Sequence, residues 1–534
     1  MKKKAISLLL AMSLVMGLAV GCGSGKSEGD SSTASEESNA GDSITVAYEY
    51  VPESLDSDVT TVWQVSATMN HVYEGLFEFN AENEAVPQIA ESYTVSDDGL
   101  EYDFVIRQGV KFHDGKEMTA EDVVASFNRW LNTNPAGASV IDIISSVEQV
   151  GDYEMKITFT SPYSAFLNLL ASPVSCQKFV VREKEIVEKF GSDTITEHIG
   201  TGPYKLAEYV EGKSVKLVKF DDYAMKEEES SGFAGKREAL IDEINIEFIE
   251  DPSVRIAGLE SGQYQFIEDV AADRFEELES VDGVDPILCD YGTMGIVTFN
   301  CGNAPTNDVN IRRAIATCID MEALATAQIG DEKFWSLNGC LFGEDTRWYD
   351  ETAGEGVYNV HDIELAKEYV EKSNYNGEEI VILDTKESSI ESAGALALQS
   401  QLKEIGLNVT VDLVDSATLM ETRAQKEGWN IYVNEWSELN PDPQVFQPWT
   451  ATDGWLINWD DEYSHDMDDI FNQMMVEVDQ DKRVELVKEM YKKFWDYCPY
   501  LKTYSHKRIH GLSSNLKGYV NFGQQFFWNC YLER

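Results

Sequence analysis

The sequence predicts a mixed α/β protein with two or three lobes and a doubly wound sheet. Segments with the two-residue alternation of strands repeatedly give way to segments with helical periodicity. The pattern is clearest between residues 381 and 413, where strand, helix and strand follow one another and Gly406 ends the helix. About 490 residues follow position 42, which is too many for one ordinary hydrophobic core.

The first 21 residues have the form of a secretory signal peptide. Three lysines at positions 2–4 precede an apolar run of about 16 residues from Ala5 to Val20, which is short for a membrane span of roughly 20 residues. The run ends in Leu18-Ala-Val-Gly-Cys22, which resembles the lipobox, the motif in which a cysteine is acylated and becomes the mature N-terminus. We therefore expect a lipid anchor on Cys22. A plain secretory signal with an incidental cysteine is the alternative, because positions 19 and 20 depart from the commonest pair.

Residues 22–42 predict a flexible linker. Glycine, serine and acidic residues dominate this stretch, and it has no apolar periodicity with which to bury a core. Twenty such residues span on the order of 25 Å root-mean-square. The linker is therefore long enough to hold a folded body just off the outer face of the cell membrane.

The body of the chain can be divided into strands and helices in order. Thr119, followed by acidic residues at 121 and 122, is a typical N-cap of a helix whose apolar face includes Phe127. Two glycines and a proline in Gly200–Tyr204 predict a rigid turn. The predicted strands are 44–48, 102–106, 215–220, 381–383, 409–413 and 431–436, and the predicted helices begin near 119, 312, 363, 395 and 465.

The charge of the chain excludes nucleic-acid binding. The formal net charge is −53, and removing the three signal lysines leaves −56. Such a field repels phosphate backbones. Solubility outside the cell is one explanation of the acidity. A preference for cationic ligands is the alternative, more specific explanation.

The sequence contains no motif that predicts catalysis, a cofactor or a metal site. No GxSxG, HExxH or glycine-rich nucleotide loop follows a predicted strand. No CxxC pair occurs among the seven cysteines after Cys22, although Cys289 and Cys301 could form a bridge. His506 and His510 are four residues apart, but their context predicts extended chain and not a helix. We therefore expect a protein that is not an enzyme, with no catalytic residues, no cofactor and no metal.

Several short motifs, in order along most of the mature chain, resemble one family. They resemble the signature of the bacterial extracellular solute-binding proteins of family 5, the peptide- and nickel-binding components of ABC importers. The motifs are Tyr73–Leu76, Gly109–Gly115, Met118–Val123, Gly200–Tyr204, Arg255–Gly262, Val309–Ile315 with Ile319-Asp320, Leu402–Gly406, and Trp436 with Asp442-Pro443.

The resemblance implies a periplasmic-binding-protein type II fold with two lobes, an added third domain and a ligand cleft between the lobes. The first lobe would be discontinuous, and closure of the lobes would occur by hinge motion. The implied segments are 43–73, 199–297 and 506–534 for the first lobe, 74–198 for the added domain and 298–505 for the second lobe.

The resemblance also implies where the ligand binds. Tryptophans are unusually frequent from Trp429 to Trp459, and the stretch that follows the strand 431–436 would line the second-lobe side of the cleft. Aromatic faces there can bind apolar side chains, sugar faces or cations. The predicted ligand-binding residues are Trp436, Ser437, Glu438, Leu439, Asn440, Asp442, Trp455 and Trp459.

One position departs from the peptide-binding members of this family. In those proteins an aspartate three residues after the tryptophan matched by Trp436 pairs with the α-ammonium of the ligand, and here that position is Leu439. Three explanations stay open. Glu438 or Asp442 could supply the carboxylate, the ligand could lack a free amine, or a local alignment gap could restore the usual pairing.

The implied function is capture of a small-molecule ligand and its delivery to the membrane permease of an ABC importer. An oligopeptide is the expected ligand, ahead of dipeptides, then oligosaccharides, then nickel or haem-like ligands. We expect a monomer that is bound to the membrane by its lipid and does not contact nucleic acid. A chemoreceptor-type sensor lipoprotein and an extracellular hydrolase are the alternative classes.

Overall fold

The structure, a computed structural model, describes residues 42–438, 442–452 and 457–534, and Gly41–Arg534 forms one compact unit. The predicted signal peptide, the linker up to residue 41 and Cys22 lie outside these residues. The strands are β1 (Ser43–Tyr48), β2 (Phe77–Phe79), β3 (Ala85–Pro87), β4 (Ala90–Val95), β5 (Glu101–Ile106), β6 (Ile144–Gly151), β7 (Glu154–Phe159), β8 (Tyr204–Val210), β9 (Ser214–Lys219), β10 (Glu243–Phe248), β11 (Phe266–Ile267), β12 (Val284–Phe299), β13 (Trp335–Ser336), β14 (Glu379–Thr385), β15 (Asn408–Val414), β16 (Ile431–Ser437), β17 (Tyr500–Ser513), β18 (Leu516–Lys517) and β19 (Tyr531–Leu532).

Helices and short 3-10 turns connect these strands. The α-helices are α1 (Trp63–Met69), α2 (Ala120–Thr133), α3 (Pro135–Val140), α4 (Phe166–Ala171), α5 (Lys184–Phe190), α6 (Pro252–Glu260), α7 (Phe275–Glu279), α8 (Val309–Cys318), α9 (Met321–Gln328), α10 (Ile363–Lys372), α11 (Ser389–Glu404), α12 (Ser416–Ala424), α13 (Gln447–Thr450), α14 (Glu462–Val476) and α15 (Gln480–Tyr497). The 3-10 turns are Ile141–Ile143, Ala272–Arg274, Glu332–Phe334 and Pro443–Phe446.

The main sheet is made of two parallel groups of strands. Its strand order is β15-β14-β16-β12-β17-β11-β1-β10-β9-β8, and β13 pairs with β17. Strand β14 is parallel to β15 and β16 in one group, and β1 is parallel to β10 and β11 in the other. Helices follow the parallel strands, as the βαβ pattern requires. The predicted α/β class is therefore confirmed.

Two long antiparallel strands, β12 and β17, join the two groups. They pair from Val284↔Ser513 to Thr298↔Tyr500, with register shifts between Cys289 and Gly292 and between Met294 and Ile296. Strand β12 also pairs with β16, and β17 also pairs with β11. We call the part built on β1 and β8–β11 the first lobe and the part built on β14–β16 the second lobe.

Each lobe has a hydrophobic core of its own. The first-lobe core includes Ile44 and Ile246, and it continues into a separate antiparallel sheet of order β4-β5-β7-β6 through Tyr102 and Phe104. The second-lobe core includes Ile382 and other side chains of β14, β16, α8, α11, α14 and α15. The four-stranded sheet falls within residues 74–198, the segment assigned to an added domain. The domain boundaries themselves stay predictions.

Local signals in the sequence correspond to element ends in the structure. Thr119 is the N-cap of α2, as the sequence predicts, and it forms a capping box with Asp122. Gly406, which follows the C-cap residue Ile405 of α11, has a φ of 84°, which a residue with a Cβ rarely adopts. Helix α8 begins at Val309, earlier than the predicted Arg312, because Asp308 accepts a hydrogen bond from Asn310 N at 2.9 Å.

The seven cysteines of the described chain are buried, and five of them belong to the two cores. Cys301, Cys318, Cys340 and Cys498 belong to the second-lobe core and Cys530 to the first-lobe core. Cys301 is a thiol that donates to Pro499 O at 3.6 Å, so the possible bridge to Cys289 does not form. Within residues 42–438, 442–452 and 457–534, no helix is long and apolar enough to cross a membrane.

Candidate ligand-binding cleft

A cavity of about 510 Å³ lies between the two lobes. Phe79 and Phe233 in its wall belong to the first-lobe core, and Phe342 in its wall belongs to the second-lobe core. The lining residues are Phe79, Asn83, Pro173, Phe233, Ser336, Asn338, Phe342, Gly343, Glu344, Asp345, Thr346, Glu438, Ser505, Lys507, Asn521 and Phe522. The volume falls within the roughly 300–1,000 Å³ typical of small-molecule sites.

Aromatic rings form the apolar walls of the cavity. Phe522 packs against Phe233 with 5.3 Å between ring centroids, and Phe342 packs edge-on against Phe446 at 5.1 Å. Because these rings are fixed by their neighbours, they offer preformed surface to apolar groups at little cost in side-chain entropy.

A polar network forms one wall of the cavity on the second lobe. Lys502 Nζ lies 3.1 Å from Glu438 Oε1 and donates to Asn338 Oδ1 at 2.9 Å and to Cys340 O at 2.6 Å. Ser505 Oγ donates to Glu438 Oε1 at 2.5 Å. The Lys502 side chain is 0% exposed and that of Glu438 is 9% exposed, so this ion pair is held largely away from water.

Asn521 lines the cavity on the first-lobe side. Its Nδ2 donates to Leu288 O at 3.0 Å, and its Oδ1 is buried. The cavity therefore combines aromatic walls with polar side chains from both lobes.

Two contacts join the loop before β3 to the second-lobe side of the cavity. Asn83 Nδ2 donates to Asp345 Oδ2 at 2.8 Å, and Arg347 Nη2 donates to Glu84 Oε1 at 2.5 Å. The Arg347 and Glu84 side chains are 39% and 48% exposed, so their pair is accessible to solvent and contributes little by itself.

The predicted ligand-binding residues lie in different parts of the structure. Glu438 lines the cavity, and Ser437 lies at the end of β16 opposite Thr293. Trp436 is half-buried against the second-lobe core, with its ring 5.2 Å from that of Tyr500. Leu439, Asn440 and Trp455 lie outside the described residues.

Trp459 lies in the second-lobe core. It is 1% exposed, and the Arg312 guanidinium lies 5.7 Å from its ring centroid. The tryptophan-rich stretch between 429 and 459 therefore contributes at least one indole to the second-lobe core.

Asp442 accepts hydrogen bonds from other residues of the protein. Arg483 donates to both of its oxygens at 2.8 and 2.9 Å, and Asn168 Nδ2 donates to Oδ2 at 3.0 Å. Asp442 also accepts from Gln444 N at 3.0 Å as the cap of the 3-10 turn. Of the two carboxylates considered from the sequence, Glu438 is the one that lines the cavity.

Most lining residues have no distinctive sequence motif. Phe79, Asn83, Phe233 and Phe522 come from loops and strand ends that lie far apart in the sequence and converge only in the folded chain. A short aromatic run, from Phe522 to Trp528, is the one local signal that could have drawn attention to the C-terminal segment.

Acidic side chains cluster near the carboxyl ends of β14 and β16. Burial raises the pKa of Asp384 to about 8 and that of Glu391 to about 7, and the negative charge of Glu435 adds to the shift of Glu391. Glu435 Oε1 accepts from Tyr504 Oη at 3.3 Å and lies 3.4 Å from His506 Nδ1. Among the described residues, no group of three or more potential ligands is arranged to hold a metal ion.

Comparison with known proteins identifies the class. The model of the bacterial extracellular solute-binding proteins, family 5 Middle, matches residues 84–456, so this chain belongs to that family of solute-binding proteins. A probable peptide ABC transporter periplasmic-binding protein, y4tO of Sinorhizobium fredii, is 27% identical over 483 residues, which cover 86% of this chain and 87% of that protein. The glutathione-binding protein GsiB of Escherichia coli K12 is 25% identical over 466 residues, which cover 85% and 87%.

Solved structures of similar proteins share the fold. The ABC transporter substrate-binding protein CtaP of Listeria monocytogenes has a TM-score of 0.77 at 23% identity and covers 90% of this chain and 95% of its own. The oligopeptide-binding protein AppA of Bacillus subtilis, solved in complex with a nonapeptide, has a TM-score of 0.72 at 21% identity, with 92% and 99% covered. The two-lobed type II architecture expected from the sequence is therefore confirmed.

Proposed function

We propose that this protein captures peptides between its lobes and delivers them to the membrane permease of an ABC importer. The observation that carries the proposal is the cavity of about 510 Å³, with phenylalanine walls and with polar groups from both lobes. Aromatic walls suit apolar side chains, and amide and hydroxyl groups such as those of Asn338 and Ser505 suit the N–H and C=O groups of a peptide backbone.

The names of the similar proteins support a peptide ligand. One is called a probable peptide ABC transporter protein, one binds glutathione, and one was solved with a nonapeptide. We favour oligopeptides over dipeptides because the lining residues extend from Asn83 and Asp345 at the mouth to Glu438 and Ser505 on the inner wall. A peptide of several residues would contact both the mouth and the inner wall.

We propose further that the protein works as a monomer tethered to the outer face of the cell membrane by a lipid on Cys22. The charged n-region, the short apolar run and the flexible linker support this. A tether keeps the protein close to its permease and raises the effective concentration of one for the other. The Cys22→Ala protein should be released into the soluble extracellular fraction, and its retention in the membrane would contradict the anchor.

The ligand proposal is tested by thermal unfolding of residues 41–534 with tri- to pentapeptides and, separately, with oligosaccharides. A ligand at a hundred times its dissociation constant stabilises the folded state by about 2.7 kcal/mol, so binding peptides should raise the melting temperature by several degrees. Stabilisation by oligosaccharides alone would contradict the proposal.

A cavity-wall variant connects binding to this site. Phe522→Ala should weaken peptide binding about tenfold or more, because truncating a buried aromatic anchor commonly costs over 1 kcal/mol. Tyr531→Ala is the matched control, since Tyr531 is 48% exposed and is not part of the cavity wall. Equal affinities for the two variants would place the ligand elsewhere.

A further inference from the structure

The charge of the cavity carboxylate is already neutralised by the protein. Lys502 is fully buried and its Nζ lies 3.1 Å from Glu438 Oε1. Its two other contacts, Asn338 Oδ1 and Cys340 O, are uncharged oxygens. Among the described residues Glu438 is therefore the counterion that a buried Lys502 ammonium requires, and the two must be considered as one neutral pair.

The same geometry leaves one carboxylate oxygen for a ligand. Ser505 and Lys502 both approach Oε1 of Glu438, whereas no hydrogen bond from the described residues reaches Oε2. Because Glu438 lines the cavity, Oε2 is the acceptor that it presents. Its position is fixed, since two neighbours hold Oε1.

Resting on the proposed capture of peptides, we propose that Glu438 accepts an uncharged N–H or O–H group of the ligand and that Lys502 sets this preference. The favoured ligands are peptides whose amino end carries no ammonium group, such as N-acylated or otherwise blocked peptides. Lys502 is thus a specificity-determining residue for the cavity.

The physical reason is a charge balance in a poorly hydrated place. A ligand ammonium beside Glu438 would give two cations for one carboxylate, and the cation of Lys502 cannot move into water because its side chain is 0% exposed. Two cations that contact the same carboxylate are close together, and like charges repel strongly where the effective dielectric constant is low. An amide N–H brings no net charge, so it gains the hydrogen bond without that repulsion.

The other charged groups of the lining do not reverse this balance. Glu344 and Asp345 are exposed at the mouth, where solvent and salt screen them, and Asp345 already accepts from Asn83 at 2.8 Å. Lys507 also lines the cavity, and the charge balance at Glu438 is set by Lys502 without it. An ammonium placed against Glu438 therefore faces the buried Lys502 cation.

The test compares a random tri- to pentapeptide library with its N-acetylated form, followed by calorimetric titration of the members that stabilise residues 41–534. For the wild type, acetylated ligands should bind at least threefold more tightly than the free ones. Equal binding, or a preference for free amines, would overturn the inference while leaving peptide capture intact. If neither form binds, the proposed function and this inference are both overturned.

Two variants assign the effect to the ion pair. Lys502→Met keeps much of the volume of the side chain but removes its charge, so Glu438 becomes able to pair with a ligand ammonium, and free amines should gain roughly ten- to a hundredfold over acetylated ligands. Lys493→Met is the matched control, because Lys493 pairs with Asp466 at 2.7 Å outside the cavity and should leave the ratio unchanged. An unchanged ratio in a folded Lys502→Met protein would overturn the role of Lys502.

The double variant Lys502→Met/Glu438→Gln keeps the test decisive even if the single lysine variant fails to fold. It replaces the buried ion pair by two uncharged side chains and so leaves no buried charge without a counterion. It should lack the preference for free amines that Lys502→Met shows, and a preference of tenfold or more for free amines in the double variant would overturn the role of the Glu438–Lys502 pair.

Discussion

Asp442 and Arg483 form a buried charge pair whose role can be separated from ligand binding. The Arg483 side chain is 0% exposed and that of Asp442 is 8% exposed, with two hydrogen bonds between them. Asp442→Asn leaves the buried guanidinium without its counterion, so we expect a loss of about 3–5 kcal/mol in the free energy of unfolding, measured in urea.

The matched control for that change is an exposed carboxylate. Glu364 pairs with Lys367 at 2.8 Å, but its side chain is 84% exposed, so Glu364→Gln should change stability by no more than about 0.5 kcal/mol. If Asp442→Asn were as stable as the wild type but failed to bind peptide, Asp442 would contact the ligand and not the scaffold.

Asp384 makes the stability of the second lobe depend on pH. Burial raises its pKa from 3.8 to about 8, so between about pH 4 and pH 8 the folded chain keeps a proton that the unfolded chain has released. Its contribution to stability is therefore present at low pH and is lost as the pH rises towards 8. Asp384→Asn should gain stability relative to the wild type over this window, by at most about 1.4 kcal/mol per pH unit.

This pH effect is measured by urea unfolding at intervals from pH 5 to pH 8. Asp415→Asn is the control, because hydrogen bonds from Thr418 lower the pKa of Asp415 and any effect should be constant above about pH 5. Parallel stability profiles for the wild type and Asp384→Asn would contradict the raised pKa.

At the residue scale, local motifs predicted less of the site than of the scaffold. The resemblance predicts that Glu438 binds the ligand; Glu438 lines the cavity, and its contact with a ligand stays a prediction. The partner that occupies Asp442 could not be predicted, because Arg483 lies 41 residues away on α15 and nothing in the sequence relates the two. The packing of Trp459 near Arg312 of α8 could not be predicted for the same reason, since the two residues lie far apart in the sequence.

At the element scale, strand β12 needs a glycine where it lies close to β17. A Cβ on Gly295 would lie 2.5 Å from Thr503 Oγ1 and from ring atoms of Tyr504, and Tyr504 is fully buried. Gly295→Ala should therefore lower the free energy of unfolding by about 1–3 kcal/mol, because a packed strand cannot move aside without strain. Chemical unfolding measures this loss.

Gly151 at the end of β6 is the control glycine. A Cβ there would meet only the side chain of Glu154, at 3.4 Å, so Gly151→Ala should cost no more than about 0.5 kcal/mol. Similar stabilities for the two variants would show that the approach of β17 to Gly295 is looser than the geometry indicates.

The elements themselves were predictable where the signal is local. The strand predicted at 381–383 lies inside β14, and the helix that was expected to end at Gly406 is α11. The pairing of β12 with β17 was not predictable, because it joins residues more than 200 positions apart through backbone groups that every residue carries. That pairing determines which loops meet at the cavity.

At the scale of the whole molecule, β12 and β17 connect lobes that have separate cores. The cavity lies between those cores, and ligand contacts on both sides would favour a closed arrangement. We expect small-angle scattering to give a smaller radius of gyration for residues 41–534 with bound peptide than without it. Phe522→Ala, at the same peptide concentration, should show a smaller change.

The contacts at the mouth of the cavity give a second test of whether the lobes close. Replacing Glu84 by Gln removes the charge pair with Arg347. The population of the closed form should fall only slightly, because the pair is half exposed and contributes little. An unchanged radius of gyration in the wild type, with binding established by calorimetry, would contradict hinge closure.

The buried cysteines make each lobe its own reporter of unfolding. Burial raises the pKa of Cys318 and Cys498 in the second-lobe core, and of Cys530 in the first-lobe core, to about 12, so at pH 8 these sulfurs are both protonated and shielded. A thiol-specific alkylating reagent needs an accessible thiolate, so it can modify them only when the surrounding lobe opens. Mass spectrometry of peptides after timed alkylation would give a separate opening rate for each lobe without any engineered label, and bound ligand should slow both rates together.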